Sequence, residues 1–66
     1  MKYYYRVLAD TGTAWLKDLG RFEDFEDAQN ALMKDFEYQM ESVSKEDFEA
    51  FSEAYFFNSR IDSIKE

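Results

Sequence analysis

Residues 23–53, which read EDFEDAQNALMKDFEYQMESVSKEDFEAFSE, decide both the fold and the surface charge of this chain. These 31 residues contain eleven carboxylates, and only Lys34 and Lys45 oppose them. The stretch therefore carries −9, whereas the whole chain carries −7, so the flanking residues sum to +2. An acidic middle beside a mildly basic start is the main indication of function in the sequence.

The first part of this stretch has the 3.6-residue period of an amphipathic helix. One side of the helix would hold the apolar residues Phe25, Ala28, Leu32, Phe36 and Met40. The opposite side would hold Glu26, Asp27, Asn30, Lys34, Glu37 and Glu41. We expect Asp24 to be the N-cap, with Asp27 three positions later as in a capping box. Tyr38 is expected on the solvent-exposed flank.

A second, shorter helix is predicted after the interruption Ser42-Val43-Ser44. Ser44 is followed three residues later by Asp47, a second capping signal, so the helix is expected to start at Lys45. Its apolar face would carry Phe48, Phe51 and Tyr55. Its acidic face would carry Glu46, Glu49 and Glu53. From Tyr55 to Ile64 the side chains alternate in character, which predicts a final strand.

The N-terminal residues predict a β-hairpin. Residues 3–9, YYYRVLA, are rich in aromatic and β-branched side chains, which favour a strand. Asp10-Thr11-Gly12 is expected to turn the chain, since glycine adopts a positive φ without strain. A two-residue turn would place Arg6 opposite Lys17, an unfavourable pair of like charges. A three-residue bulged loop avoids that contact and is preferred.

The preferred loop defines a register in which Val7 pairs with Trp15 and Tyr5 pairs with Lys17. Trp15 would then be buried, because one face of the hairpin would hold Tyr3, Tyr5, Val7, Trp15 and Leu19. The other face would hold Tyr4, Arg6, Leu8, Leu16 and Asp18. A shift of one residue would reverse the second strand, so this register depends on the loop.

These elements give one small α+β domain over residues 1–66, in the order hairpin, helix, short helix, strand (ββααβ). A three-stranded sheet with both helices on one face is the simplest arrangement that buries both apolar stripes. The last strand is expected beside the first, which gives the strand order 2-1-3, and its direction is left open. At this size the core is thin, and seven Phe, five Tyr and one Trp supply most of its mass.

The composition argues against several classes of function. The chain has neither Cys nor His, which excludes disulfides and the usual zinc sites and removes the commonest catalytic base. We expect no enzyme, no cofactor and no specific metal site, because exposed carboxylate pairs lack the cleft that separates two pKa values. The residues Asp10-Thr11-Gly12-Thr13 do not have the spacing of a calcium loop.

Membrane insertion and direct nucleic-acid binding are also disfavoured. No apolar run approaches the length of about 20 residues that spans a membrane, and the lack of Cys fits a cytoplasmic protein. Tyr4, Arg6 and Leu8, with Arg60 nearby, could form a stacking platform for single strands. With a net charge of −7 and a pI near 4.4, we interpret them instead as cross-strand pairs on the open sheet face.

The acidic helical faces are the candidate binding surface. Glu37 and Glu41 are four residues apart, about 6 Å along the axis, a spacing of the order of that between nucleic-acid phosphates. Such a surface could enter a basic groove that holds DNA or RNA, steered by opposite charge. The alternative interpretation is a solubilising outer surface. The candidate partner-binding residues are Glu26, Asp27, Glu37, Tyr38, Glu41, Glu46, Glu49 and Glu53.

A very short acidic chain with aromatic-rich strands and acidic helices resembles small phage-encoded inhibitors of bacterial defence, the anti-CRISPR proteins and DNA-mimic inhibitors. The resemblance rests on size, charge and layout over the whole chain. It implies tight binding to a CRISPR effector or another defence nuclease in the host cytoplasm, with the acidic residues facing the nucleic-acid channel.

A different class of function is an accessory module that pairs with itself or with another chain. Self-association is a common way for a chain of this size to cover apolar surface. The homodimer would form through the edge of the last strand or through the open sheet face. The candidate residues on that face are Tyr4, Leu8, Leu16 and Phe56.

Overall fold

The computed structural model describes residues 3–65. The elements are β1 (Tyr3–Asp10), β2 (Leu16–Phe22), α1 (Phe25–Met40), α2 (Phe48–Asn58) and β3 (Arg60–Lys65). The strands form one sheet in the order β2-β1-β3, and β1 is antiparallel to both neighbours. The predicted α+β class, the ββααβ order and the position of the last strand beside the first are therefore confirmed.

The core lies between the central strand and the two helices. Among residues 3–65 only four hydrophobic side chains are fully buried: Val7, Ala9, Ala28 and Tyr55. Strand β1 supplies Val7 and Ala9, because it is the central strand and has a neighbouring strand on each side. Around Tyr55 the aromatic rings of both helices meet, with Phe36 at 5.1 Å between ring centroids. Aromatic packing of Phe36 on Phe51, Tyr55 and Phe56 thus joins α1 to α2.

The apolar stripe predicted for α1 is confirmed in its central part. Ala28 is buried, and Leu32, Phe36 and Met40 are half-buried against the sheet and α2. Phe25, at the first position of the helix, is more exposed and packs edge-on against Tyr5 at 5.4 Å between ring centroids. The acidic side of the helix faces solvent along its whole length, as the period predicts.

The register of the hairpin differs from the prediction. Val7 lies opposite Gly20, and the pairing shifts by one residue at a bulge between Val7 and Leu8. The predicted pairs of Val7 with Trp15 and of Tyr5 with Lys17 are therefore wrong. The second strand begins only after Trp15, whose side chain is 81% exposed instead of buried.

Side-chain hydrogen bonds in the loop explain this difference. The Thr11 hydroxyl donates to the Trp15 carbonyl at 2.7 Å, which closes a five-residue loop rather than a three-residue one. The Gly12 amide donates to the Asp10 carboxylate at 3.0 Å, and Gly12 has the predicted positive φ, +77°. Local side-chain hydrogen bonds of this kind compete with the backbone hydrogen bonds between strands. The loop is therefore longer than predicted, and the second strand begins later in the sequence.

The helix boundaries are partly as predicted. Asp24 is the N-cap of α1, although its carboxylate makes no capping hydrogen bond within residues 3–65. Helix α2 begins at Phe48, and the predicted start at Lys45 is wrong. The Ser44 hydroxyl donates to the Asp47 carboxylate at 3.0 Å, so these two side chains are hydrogen-bonded to each other. Residues 45–47 therefore form a turn before the helix.

The prediction of a strand from Tyr55 is wrong for residues 55–58, which form the last turn of α2. An apolar run as short as Tyr55-Phe56-Phe57 has no period that separates strand from helix. Tertiary contacts decide the outcome, because the Tyr55 hydroxyl donates to Asp35 Oδ2 at 2.7 Å and to the Leu32 carbonyl at 3.1 Å. Both bonds need Tyr55 on the inner side of a helix.

Asp35 is the acceptor around which this polar cluster forms. Its side chain is only 7% exposed, and its carboxylate also accepts a hydrogen bond from Gln39 at 2.7 Å. Lys17 of β2 lies 3.7 Å from the same carboxylate. Burial, followed by the hydrogen bond to Asp35, raises the pKa of the Tyr55 hydroxyl, so this group stays a proton donor.

Replacing Tyr55 with Phe removes the hydroxyl and leaves a buried carboxylate with one donor fewer. We expect the Tyr55→Phe variant to lose about 1.5–3 kcal/mol of unfolding free energy, measured by urea titration with circular dichroism. Tyr38→Phe is the matched control, because the Tyr38 side chain is 73% exposed and its loss should change stability by less than about 0.5 kcal/mol. Equal effects of the two substitutions would contradict this role of Asp35.

Ser52 of α2 offers the opposite test. Its hydroxyl is buried and has no hydrogen-bond partner among the described residues. Because an unpaired buried hydroxyl is destabilising and Ala is the better helix former, Ser52→Ala should raise the unfolding free energy by about 1 kcal/mol. A loss of stability in thermal and urea unfolding would show that this hydroxyl is satisfied.

Candidate protein-binding surface

The acidic side of α1 has carboxylates near both ends of the helix. Glu26 and Asp27 lie in the first turn, where negative charge is favourable beside the positive end of the helix dipole. Glu37 lies in the last turn and Glu41 is the C-cap, where negative charge is unfavourable. No basic residue in the last turn offsets them. The C-terminal pair therefore costs the helix stability and is not explained by helix formation.

The acidic surface continues onto the second helix. Glu49 and Glu53 are one turn apart on α2, and both are exposed. Glu46 is also exposed, but it lies in the turn before α2 and does not follow the helical spacing predicted for it. Helix α2 contains no Lys or Arg, so all of its charged side chains are acidic.

Twelve of the carboxylates within residues 3–65 fall into two groups. Five of them hold the fold together through ion pairs or side-chain hydrogen bonds within residues 3–65: Asp10, Asp18, Asp35, Asp47 and Asp62. In the same part of the chain, no ion pair or side-chain hydrogen bond uses the seven carboxylates predicted to bind a partner. These are Glu26, Asp27, Glu37, Glu41, Glu46, Glu49 and Glu53. The predicted surface thus consists of carboxylates that no ion pair or side-chain hydrogen bond within residues 3–65 engages.

The open face of the sheet has its charges paired. Arg6 forms a two-bond ion pair with Asp18 across the strands, at 2.9 and 3.1 Å. The Gly20 amide, followed by the Arg6 guanidinium, lowers the pKa of the Asp18 carboxyl. The Arg21 guanidinium stacks on the Tyr4 ring at 3.9 Å. These residues and Leu19 line a shallow groove of about 540 Å³ on this face.

The charge at the start of β3 is also paired, and Phe56, just before this strand, does not lie where it was predicted. Arg60 pairs with Asp62 at 2.9 Å, so this guanidinium is also held by a carboxylate. Phe56 was predicted on the open sheet face, but it belongs to α2 and its ring packs 4.7 Å from Phe36. It therefore lies in the layer of the helices and cannot contribute to pairing through the sheet face.

Three aromatic side chains are far more exposed than the rest. Tyr38, at 73%, lies on α1 beside the acidic residues, where the helical spacing placed it. Trp15, at 81%, and Phe57, at 88%, were not identified from the sequence as surface residues. Phe57 follows Glu53 by four residues, so continuing the helical period to Asn58 would have placed it on the acidic side of α2. Because residues from Tyr55 onward were predicted as a strand, Phe57 was not assigned to this side of the helix.

Phe57 borders a shallow, open groove of about 450 Å³ on the outer side of α2, and residues of this helix alone line it. The lining residues are Ala50, Glu53, Ala54, Phe57 and Asn58.

Within residues 3–65, no three Asp or Glu side chains come together as a cation site. None of the helices there is long and apolar enough to cross a membrane.

Comparison of the chain with protein-family models, with curated proteins and with solved structures finds no match in any of the three.

Proposed function

We propose that the protein is a non-enzymatic inhibitor that binds another protein through the acidic side of its two helices. The proposed target carries a basic surface that normally holds nucleic acid. One observation carries the proposal: within residues 3–65, seven exposed carboxylates take part in no ion pair or side-chain hydrogen bond, whereas three others form ion pairs and two more accept hydrogen bonds. Carboxylates that no cation or hydrogen-bond donor of the same fold engages are available for an external partner.

The position of the charges supports the same conclusion. Glu37 and Glu41 lie at the end of α1 where negative charge opposes the helix dipole, so their presence there reduces stability. A surface that served only for solubility would gain as much from carboxylates at the other end. Opposite charge on a target would speed association and make the affinity depend on salt.

The resemblance to DNA-mimic and anti-CRISPR inhibitors makes a CRISPR effector or another defence nuclease the proposed target class. Such a target acts in the cytoplasm, which is the proposed place of action, in the host cell if the chain is phage-encoded. Direct nucleic-acid binding is not part of the proposal. Arg6 and Arg60 on the open face are paired with carboxylates, which reduces their availability to phosphates.

Charge reversal on α1 tests this proposal. The wild-type protein should displace a fluorescent DNA duplex or guide RNA from at least one purified member of a panel of defence nucleases. Glu37→Lys should weaken that competition about tenfold, and Glu37→Lys/Glu41→Lys should abolish it, because repulsion replaces attraction. The apparent affinity of the wild-type protein should also fall as the salt concentration rises.

Glu23→Lys is the matched control. It makes the same change in net charge, but Glu23 lies before α1, about 20 Å along the axis from Glu37. Its competition should stay near that of the wild-type protein. Circular dichroism should show all three variants folded. Equal competition by the wild-type and the double variant, or an affinity independent of salt, would contradict the proposal.

A further inference from the structure

Helix α2 is apolar on more sides than its position in the fold requires. Seven of its eleven residues are apolar: Phe48, Ala50, Phe51, Ala54, Tyr55, Phe56 and Phe57. Its inner side packs through Phe51 and Tyr55 on Phe36 of α1. A helix that is apolar around most of its circumference is normally buried on most sides. One side of α2 is therefore left without the cover that its sequence implies.

The uncovered side is a shallow, open groove that residues of α2 alone line. Ala50 and Ala54 are one turn apart and exposed, so their small side chains leave the helix backbone open to close approach. Phe57 lies beside them and is 88% exposed, and these three residues line a space of about 450 Å³ together with Glu53 and Asn58. A Phe side chain has only two rotatable bonds, so its immobilisation in a complex costs little entropy.

The charges around this groove select its occupant. Glu53 lines the groove, Glu49 lies one turn before it, and α2 has no basic residue. A second copy of the chain would bring two acidic surfaces together, which is unfavourable. An occupant with Lys or Arg on both sides of an apolar stripe would meet carboxylates at the rim and Phe57 at the centre.

We propose that the outer side of α2 is a docking groove for a basic amphipathic helix of the target, with Phe57 as the apolar anchor. This inference rests on the proposed function and assigns a second role within the same surface. The carboxylates accelerate encounter and make it depend on salt, whereas Phe57 lengthens the lifetime of the complex. Anchors of this kind carry most of the binding energy in protein interfaces.

A synthetic leucine–lysine peptide with its leucines at helical spacing is the probe. Its scrambled isomer, which has the same charge but no apolar stripe, is the peptide control. Fluorescence anisotropy of the labelled peptide should show saturable binding to the wild-type protein and at least tenfold weaker binding of the scrambled peptide. Phe57→Ala should weaken binding of the first peptide at least tenfold, mainly through faster dissociation.

Trp15→Ala is the matched protein control, because it removes an aromatic ring that is 81% exposed and lies outside both helices, so it should leave peptide affinity within about twofold. Glu53→Lys should weaken binding and reduce its salt dependence. Equal binding of both peptides, or an unchanged affinity of the Phe57→Ala variant for the first peptide, would contradict the proposed docking site. So would a dimer in sedimentation that Phe57→Ala dissociates, since a second copy would then be the occupant. The nuclease competition described above uses no peptide, so failure of the acidic surface appears there independently.

Discussion

The hydrogen bond from Tyr55 to Asp35, 2.7 Å long, is the contact on which the rest of the fold depends. With so few fully buried hydrophobic side chains, the core is too small to fix the position of α2 by area alone. Asp35 also receives Gln39 and lies near Lys17, and Gln39 in turn donates to the Asp10 carbonyl at the end of β1. One carboxylate thus connects both helices with two strands. Satisfied buried polar groups of this kind specify a single arrangement where apolar packing is thin.

Side-chain length and position separate the structural carboxylates from the surface ones. The aspartates in ion pairs lie on strands or on the inner edge of a helix, where a short side chain reaches a neighbouring cation or amide. The glutamates lie on outward positions of α1 and α2, and none of them forms an ion pair with the five cations of the described sheet, Arg6, Lys17, Arg21, Arg60 and Lys65. Mutual repulsion among them reduces stability. A fold with so little apolar burial keeps them despite that cost, which is the physical basis for regarding them as a binding surface.

The parts of the fold with a strong period could be predicted from sequence. The apolar stripe of α1 predicted a long amphipathic helix, and the burial requirement of its stripe predicted a sheet beneath it with β1 in the centre. The hairpin register could not be predicted, because the bond from the Thr11 hydroxyl to the Trp15 carbonyl decided the loop length. The end of α2 could not be separated from a strand until the contact of Tyr55 with Asp35 was known, and the error concealed Phe57.

The candidate surface was predictable only in part, for the same reason. The exposed carboxylates of α1 followed from its period, and the structure places them as expected on the solvent side. Asp35 belongs to the same acidic run but lies at the inner edge of the stripe, where only the position of α2 shows its structural role. Composition alone treats Asp35 and Glu37 as equivalent charges, although they are two residues apart and face different environments.

The central claim is that the surface glutamates form no ion pair within the fold and that their mutual repulsion lowers its stability. The free energy of unfolding measured in urea as a function of NaCl tests it most directly. Circular dichroism should follow the transition, since Trp15 is already exposed in the folded state. As NaCl rises from about 0.01 M to about 0.15 M, the Debye length falls from about 30 Å to about 8 Å. Screening of repulsion should then raise the unfolding free energy, and replacing Glu37, Glu41, Glu49 and Glu53 with Gln should remove most of that rise. A free energy that falls with NaCl would show that these charges stabilise the fold through ion pairs, and would contradict the account.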